Sequence, residues 1–214
     1  MKKIVSVSFI LLLFCSVLHA EDLIFAAGIS HQNPNGAFAL HSNYALNLGG
    51  GMELVKDLYG VVKFTLPSKY NSQVYPLIVN INGVDDTLNF DQFTAFDIEI
   101  VGHYILPVFP LSKVNPKFFG GLGLHWLYNS QQKSGELNVQ FNGIGPEFGL
   151  GAVYRPAENL SIDFTFSVKF PYYNEYKRQN LPKVAVGLDE QIIAFNLSLF
   201  YLIPVGSDND GFEW

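Results

Sequence analysis

Eight ionisable residues fall in the polar phase of segments that otherwise alternate apolar and polar: Glu53, Lys63, Asp97, Glu99, Glu147, Arg155, Asp163 and Lys169. Such a set, gathered on one side of a group of strands, invites a narrow ion path or gate. With His103 and His125 it also offers the donor types of a metal site. Isolated histidines on separate strands are more often polar fillers, so no metal and no other cofactor is expected. His31 and His41 flank a polar loop and are read as solvated. A hydrolytic site would need a base within hydrogen-bond reach of a serine. His125 and Ser130 lie near one another in sequence, but their odd spacing puts them on opposite faces of a continued strand. No glycine cluster reads as a phosphate loop: Gly143-Ile-Gly-Pro has no helix behind it.

The elements that must carry these residues are strands. Residues 160–170 read Leu-Ser-Ile-Asp-Phe-Thr-Phe-Ser-Val-Lys-Phe, eleven positions of unbroken alternation. One face carries Leu160, Ile162, Phe164, Phe166, Val168 and Phe170, the other Ser161, Asp163, Thr165, Ser167 and Lys169. A tilted strand crosses a bilayer in roughly 9–11 residues. Seven further segments repeat the pattern, at 23–30, 44–55, 59–66, 96–106, 118–128, 145–155 and 191–203. After residue 20 no apolar run reaches the roughly 18 residues of a spanning helix. High apolar content without such a run is the mark of transmembrane strands.

Lys2 and Lys3, the apolar stretch 4–14 and the onset of charge at Glu21 read as an export signal over 1–20, with cleavage after Ala20. Cys15 is the single cysteine and leaves with the signal, which excludes disulfides and thiol chemistry. Without Lys2 and Lys3 the chain holds 11 basic and 19 acidic residues, a net of 11 − 19 = −8. That balance argues against nucleic acid as a partner. The domain plan is a signal at 1–20, a barrel at 21–204 and a short tail at 205–214.

The connections alternate in length. The residues after His31, the stretch 67–92, the stretch 129–142 and the stretch 171–190 are long. Residues 56–58 and 156–159 are tight turns, and 107–117 is intermediate. In an up-and-down ring every long connection then emerges at one rim, as in outer-membrane barrels. Aromatic residues fall into two belts, the interfacial preference of Tyr and Trp. Tyr44, Trp126, Tyr128 and Tyr172 sit near the long-loop rim. Tyr59, Tyr104, Tyr154 and Tyr201 sit near the short-turn rim.

The stretch Phe118-Phe-Gly-Gly-Leu-Gly-Leu-His-Trp resembles the glycine-rich fifth strand of the outer-membrane β-barrel domain family, the OmpA/OmpX-like eight-stranded barrels. Asn142-Gly-Ile-Gly-Pro-Glu-Phe-Gly-Leu-Gly-Ala-Val-Tyr-Arg-Pro, followed by Asn159-Leu-Ser-Ile-Asp-Phe, resembles the adjoining hairpin. The resemblance is clearest over residues 116–170. Such barrels often end in an aromatic residue that closes the last strand, whereas here 204–214 run on past it to Trp214. These motifs specify a fold and not an activity.

The expected fold is therefore all-β, an eight-stranded antiparallel up-and-down transmembrane β-barrel. An eight-stranded interior is filled by side chains, and charges inside it must pair or be hydrated. A polar plug of ion pairs and waters is expected, with Gly49, Gly51, Gly121, Gly123, Gly149 and Gly151 making room. The functional expectation is a monomeric, non-enzymatic surface scaffold of a Gram-negative-type cell. Its partners would be outer-membrane lipid and lipopolysaccharide, the barrel assembly machinery and periplasmic chaperones. A surface ligand would bind through loops 67–92 and 171–190. In the first loop Val74, Tyr75, Leu77, Ile78, Val79 and Ile81 suggest a hairpin. In the second Tyr172, Tyr173, Tyr176, Lys177 and Arg178 suggest a contact for a ligand or lipid phosphates. The alternatives are a narrow porin-like channel, a lipid A-modifying barrel enzyme and a soluble lipocalin-like carrier.

Overall fold

The computed structural model describes residues 22–73, 76–81, 83–88, 92–107, 113–129, 139–178 and 182–204. The expected signal, Cys15, Val74, Tyr75, Ser130 and the tail lie outside the described residues. The described chain is built of strands: β1 (Asp22–Gly36), β2 (Asn43–Val55), β3 (Leu58–Asn71), β4 (Leu77–Ile81), β5 (Val84–Leu88), β6 (Gln92–Ile105), β7 (Val114–Tyr128), β8 (Val139–Ala157), β9 (Leu160–Lys169), β10 (Tyr172–Arg178) and β11 (Val184–Pro204). No described helix is long and apolar enough to cross a membrane.

The strands form one antiparallel ring. β1 pairs with β2, then follow β3, β6, β7 and β8, and β11 returns to pair with β1 from Asp22↔Pro204 to Gly36↔Glu190. β9 and β10 share the same two neighbours, β8 and β11. They are one spanning strand interrupted at Phe170–Pro171, where a proline has no N–H for the ladder. The ring therefore has eight spanning strands and no free edge. β4 and β5 form a separate hairpin within the 67–92 connection.

Tight turns close one rim. Lys56-Asp57 joins β2 to β3, with Asp57 at φ 65°, a left-handed conformation that Asp tolerates better than most residues. The Asp57 N–H donates to Glu53 Oε1 at 2.8 Å. Glu158-Asn159 joins β8 to β9.

Most strands run farther toward the other rim than their alternation suggested. β1 continues to Gly36, β3 to Asn71, and β8 starts at Val139. There the hydrophobic phase inverts. On the outer wall of β8, Phe148 and Ile144 give way to Asn142 and Gln140. Inside, Glu147 gives way to Phe141 and Val139. On β11 the outward Phe195 and Ile193 are followed by Gln191 and Asp189. On β3 the outward Phe64 and Leu66 are followed by Lys69 and Asn71, while Tyr70 turns inward. The lower part of each strand meets lipid with its apolar side. The upper parts of β1, β3, β8 and β11 meet water with their polar side, whereas β2 and β7 end near the outward Tyr44 and Tyr128 without an inverted section.

The inverted upper section has its own core: Phe38, Leu40, Tyr70, Val79, Leu88, Phe93, Leu127, Val139, Phe141, Tyr173, Tyr176 and Val186. Phe38 is fully buried at its centre, edge-on to Phe141 (4.8 Å), Tyr173 (5.2 Å) and Phe93 (5.7 Å). These are the tilted geometries that aromatic quadrupoles favour. Val79 and Leu88 of the hairpin join this core from above, while Ile78 on its other face and Val84 at its tip are exposed.

Candidate functional site

The interior is the place where ionisable groups converge, and it is tiered. The middle tier is an ion-pair network. Lys63 Nζ lies 2.6 Å from Glu99 Oε2 and donates to both oxygens of Glu147, at 3.2 and 2.9 Å. Lys169 Nζ lies 2.5 Å from Glu99 Oε1 and 3.3 Å from Asp97 Oδ2. His125 Nδ1 lies 2.9 Å from Asp97 Oδ1. Lys117 pairs with Asp163. Four carboxylates thus face three ammonium groups and one imidazole, all but Lys63 nearly sealed from solvent. Charges so buried persist only when paired. Space comes from glycine: a Cβ on Gly123 would lie 2.8 Å from His125 Nε2 and 2.9 Å from Glu99 Cγ.

Asp97, Glu99 and His125 bring donor atoms within 4.8 Å of one another, the arrangement a metal would need. Lys169 already sits against both carboxylates and supplies a cation there. The geometry suits an ammonium and leaves no acid free for a divalent ion.

The outer tier is the aromatic core. Among the described residues its one buried carboxylate is Glu190, above the first outward apolar residue of β11, Ile193. Glu190 Oε2 accepts the Phe38 N–H at 3.3 Å, and Oε1 has no partner. Burial pushes this carboxyl up to about 7. At the mouth, Asp86 of β5 accepts Tyr176 Oη–H and Arg178 Nη1–H, each at 2.6 Å. This latches the hairpin to β10.

The inner tier, at the short-turn rim, is apolar again: Ile24, Tyr59, Val61, Ile105 and Val153, with Phe200 and Leu202 against them. It surrounds a cavity into which Lys117, Arg155, His103 and Ser161 also open. An adjoining cavity, sharing His103, Lys117, Asp163 and Phe200, extends up to Lys63.

Several expectations are corrected by these positions. Tyr59 is not in a belt: it is 7% exposed and faces inward, because it shares the phase of Val61 and Lys63 and pairs with His103. Glu53 and Arg155 do not join the ion network. Glu53 ties down the Lys56-Asp57 turn, and Arg155 donates to Tyr59 Oη at 3.4 Å. Tyr173 and Tyr176 are core residues and Arg178 is committed to Asp86, so residues 172–178 are no surface contact as a group. Tyr44, Tyr104, Tyr154, Tyr172 and Tyr201 are exposed on the outer wall, while Trp126 and Tyr128 are half-buried there. The interior is polar in its middle and apolar at both ends. Lys117 was overlooked because strand β7 was begun at Phe118; the phase of His125, followed back through Gly123, Gly121 and Phe119, lands on it.

A closed antiparallel ring of eight spanning strands, tight turns at one rim and an outward apolar band defines a transmembrane β-barrel of the outer-membrane type. No family model matches the sequence, and no curated protein is similar to it. Solved structures share the fold. OprG of Pseudomonas aeruginosa aligns at a TM-score of 0.55 and 13% identity over 87% of this chain and 97% of that one. Neisserial surface protein A aligns at 0.51 and 16% over 82% and 95%. Outer membrane protein W of E. coli aligns at 0.51 and 14% over 86% and 98%. OprG and outer membrane protein W are outer-membrane proteins, and the likeness at these identities is one of fold, the fold expected of an OmpA/OmpX-like chain.

Proposed function

We propose that this protein is an occluded outer-membrane scaffold that acts through its outer end and not through a pore. The observation that carries this reading is the filled lumen. Paired charges occupy the middle, and an aromatic core closed by the β4–β5 hairpin occupies the outer mouth. The exposed faces left for a partner are Ile78 and Val84 on the hairpin and Tyr172 and Lys177 on β10. Loops and tips are where a rigid scaffold carries binding. In this reading the chain is a monomer in lipid and lipopolysaccharide, delivered by periplasmic chaperones and the barrel assembly machinery, and it performs no catalytic step.

The test is conductance. Purified full-length protein, shown to be folded by faster migration of the unboiled sample on a denaturing gel, is added to planar bilayers. No stepwise conductance is expected. Sustained steps would replace the scaffold with a narrow channel, a second reading favoured by the adjoining cavities that reach Lys63 from the short-turn side. Replacing residues 78–87 by a short Gly-Ser linker should spare assembly and reduce adhesion of expressing cells. A change in lipid A mass on expression would overturn the non-enzymatic reading.

A further inference from the structure

We propose that the cavity at the short-turn end of the barrel binds one small monovalent anion, of halide or simple carboxylate size. The inference is independent of what the outer end does. It rests on an imbalance of donors and acceptors in a cavity that opens toward the short-turn rim. The cavity is lined by Tyr59, His103, Lys117, Arg155, Ser161 and Asp163, with apolar walls between them. Its only carboxylate, Asp163, is already paired with Lys117.

The donors have few protein acceptors. Arg155 presents five N–H groups, and its side chain makes one hydrogen bond, the long one to Tyr59. Since that contact uses the phenol oxygen as acceptor, the Tyr59 hydroxyl hydrogen is free to turn into the cavity. Ser161 is 6% exposed, and among the described residues its hydroxyl has no protein partner. The His103 ring is held between Phe119 and Phe200 at 5.4 and 5.9 Å and adds a ring nitrogen. Lys117 keeps two N–H groups beyond its bond to Asp163. Lys117 and Asp163 cancel, and the guanidinium is the remaining charge among the lining residues, with Glu53 and Asp57 of the adjacent turn within electrostatic reach of Tyr59. An anion in the cavity supplies the acceptors that these donors lack within the protein.

Size sets the class. The cavity volume is about 30 Å³, enough for roughly two waters at on the order of 10–15 Å³ each. Chloride or formate fits in their place; a sugar acid or a lipid phosphate does not. Partly exposed Arg155 and Leu202 mark the way in from the short-turn rim.

The experiment uses the full-length refolded barrel in non-ionic micelles, with sodium gluconate as the bulky background anion. Chloride or formate then replaces gluconate at constant ionic strength. The urea midpoint of unfolding should rise and saturate with each small anion. Chlorine-35 linewidths should broaden in its presence and narrow again when formate competes. Arg155→Gln should weaken both signals at least tenfold and Ser161→Ala several-fold, while both variants keep the fast-migrating unboiled band. If Arg155→Gln fails to fold, Tyr59→Phe takes its place, with weakening again expected. Saturation with chloride alone narrows the class to halide, and with formate alone to carboxylate. A midpoint that ignores small anions, or variants that saturate like the parent, overturns the proposal.

Discussion

Glu190→Gln should stabilise the barrel above neutrality and leave it unchanged in acid. Glu190 is 4% exposed beside the Phe38 plug, and one of its oxygens has no partner. Burial raises its carboxyl from 4.5 to about 7. Below pH 4.5 the native and unfolded chains both hold the proton, and the site costs nothing. Between 4.5 and 7 the native chain keeps a proton that the unfolded chain has released, so stability falls as pH rises. Above 7 the whole penalty is present. The interval of 7 − 4.5 = 2.5 pH units, at about 1.4 kcal/mol each, amounts to about 3 kcal/mol. Glutamine keeps the oxygen that accepts the Phe38 N–H and carries no charge to desolvate. Urea unfolding in micelles at pH 4 and pH 8, followed by tryptophan fluorescence and by the heat-modifiable band, measures the difference. Parent and variant should agree at pH 4 and separate by about 3 kcal/mol at pH 8. Curves that stay parallel across the range would show that Glu190 is hydrated in the native state, and the reasoning would fail.

Lys169→Met removes the ammonium shared by Asp97 and Glu99. It should cost about 3–5 kcal/mol, read as a lower urea midpoint; an unchanged midpoint would mean that water reaches the network. Asp86→Asn weakens the latch to Tyr176 and Arg178. Amides 77–88 should exchange faster, by a local loss of about 1 kcal/mol, while those of β7 and β8 keep their protection. Gly123→Ala drives a methyl group between His125 and Glu99 and should cost about 1–3 kcal/mol through overpacking. Gly83→Ala, by contrast, meets no atom within 4 Å and pays only for its φ of 84°, so it should leave the barrel midpoint untouched.

The lower barrel was legible from residues alone because lipid enforces a strict rule there. Leu160–Lys169 alternates without error, and its inward set of Asp163 and Lys169 follows directly from period two. The upper barrel was not legible for the same reason. Residues 139–142, 172–178 and 184–190 fall within the expected long connections, since their apolar residues sit in the opposite phase to the strand below. Bulges between Thr65 and Ser68 and between Tyr173 and Glu175 shift the count further. Tyr173 and Tyr176 then look like exposed loop aromatics instead of a core. Phe38 was beyond reach altogether: its burial depends on a connection folding back into the mouth, where its ring meets Phe93, Phe141 and Tyr173 from three other strands. The pairings within the ion network needed three-dimensional register, but its membership was largely a matter of phase.

The inversion of phase along β3, β8 and β11 also fixes how deep the protein floats. A barrel with a uniform apolar girdle can ride up or down as the bilayer thickens or thins, with little to resist it but mismatch. Here a rise toward the outside would lift Phe148, Phe64 and Phe195 into water. A descent would draw Lys69, Gln140 and Asp189 into hydrocarbon, against charges and amides that cannot turn inward because Tyr70, Phe141 and Val186 already fill that side. Both displacements are opposed, so the molecule behaves as a stake with a collar. The height at which it holds its hairpin above the lipid is set by its own sequence and not by the membrane it happens to occupy.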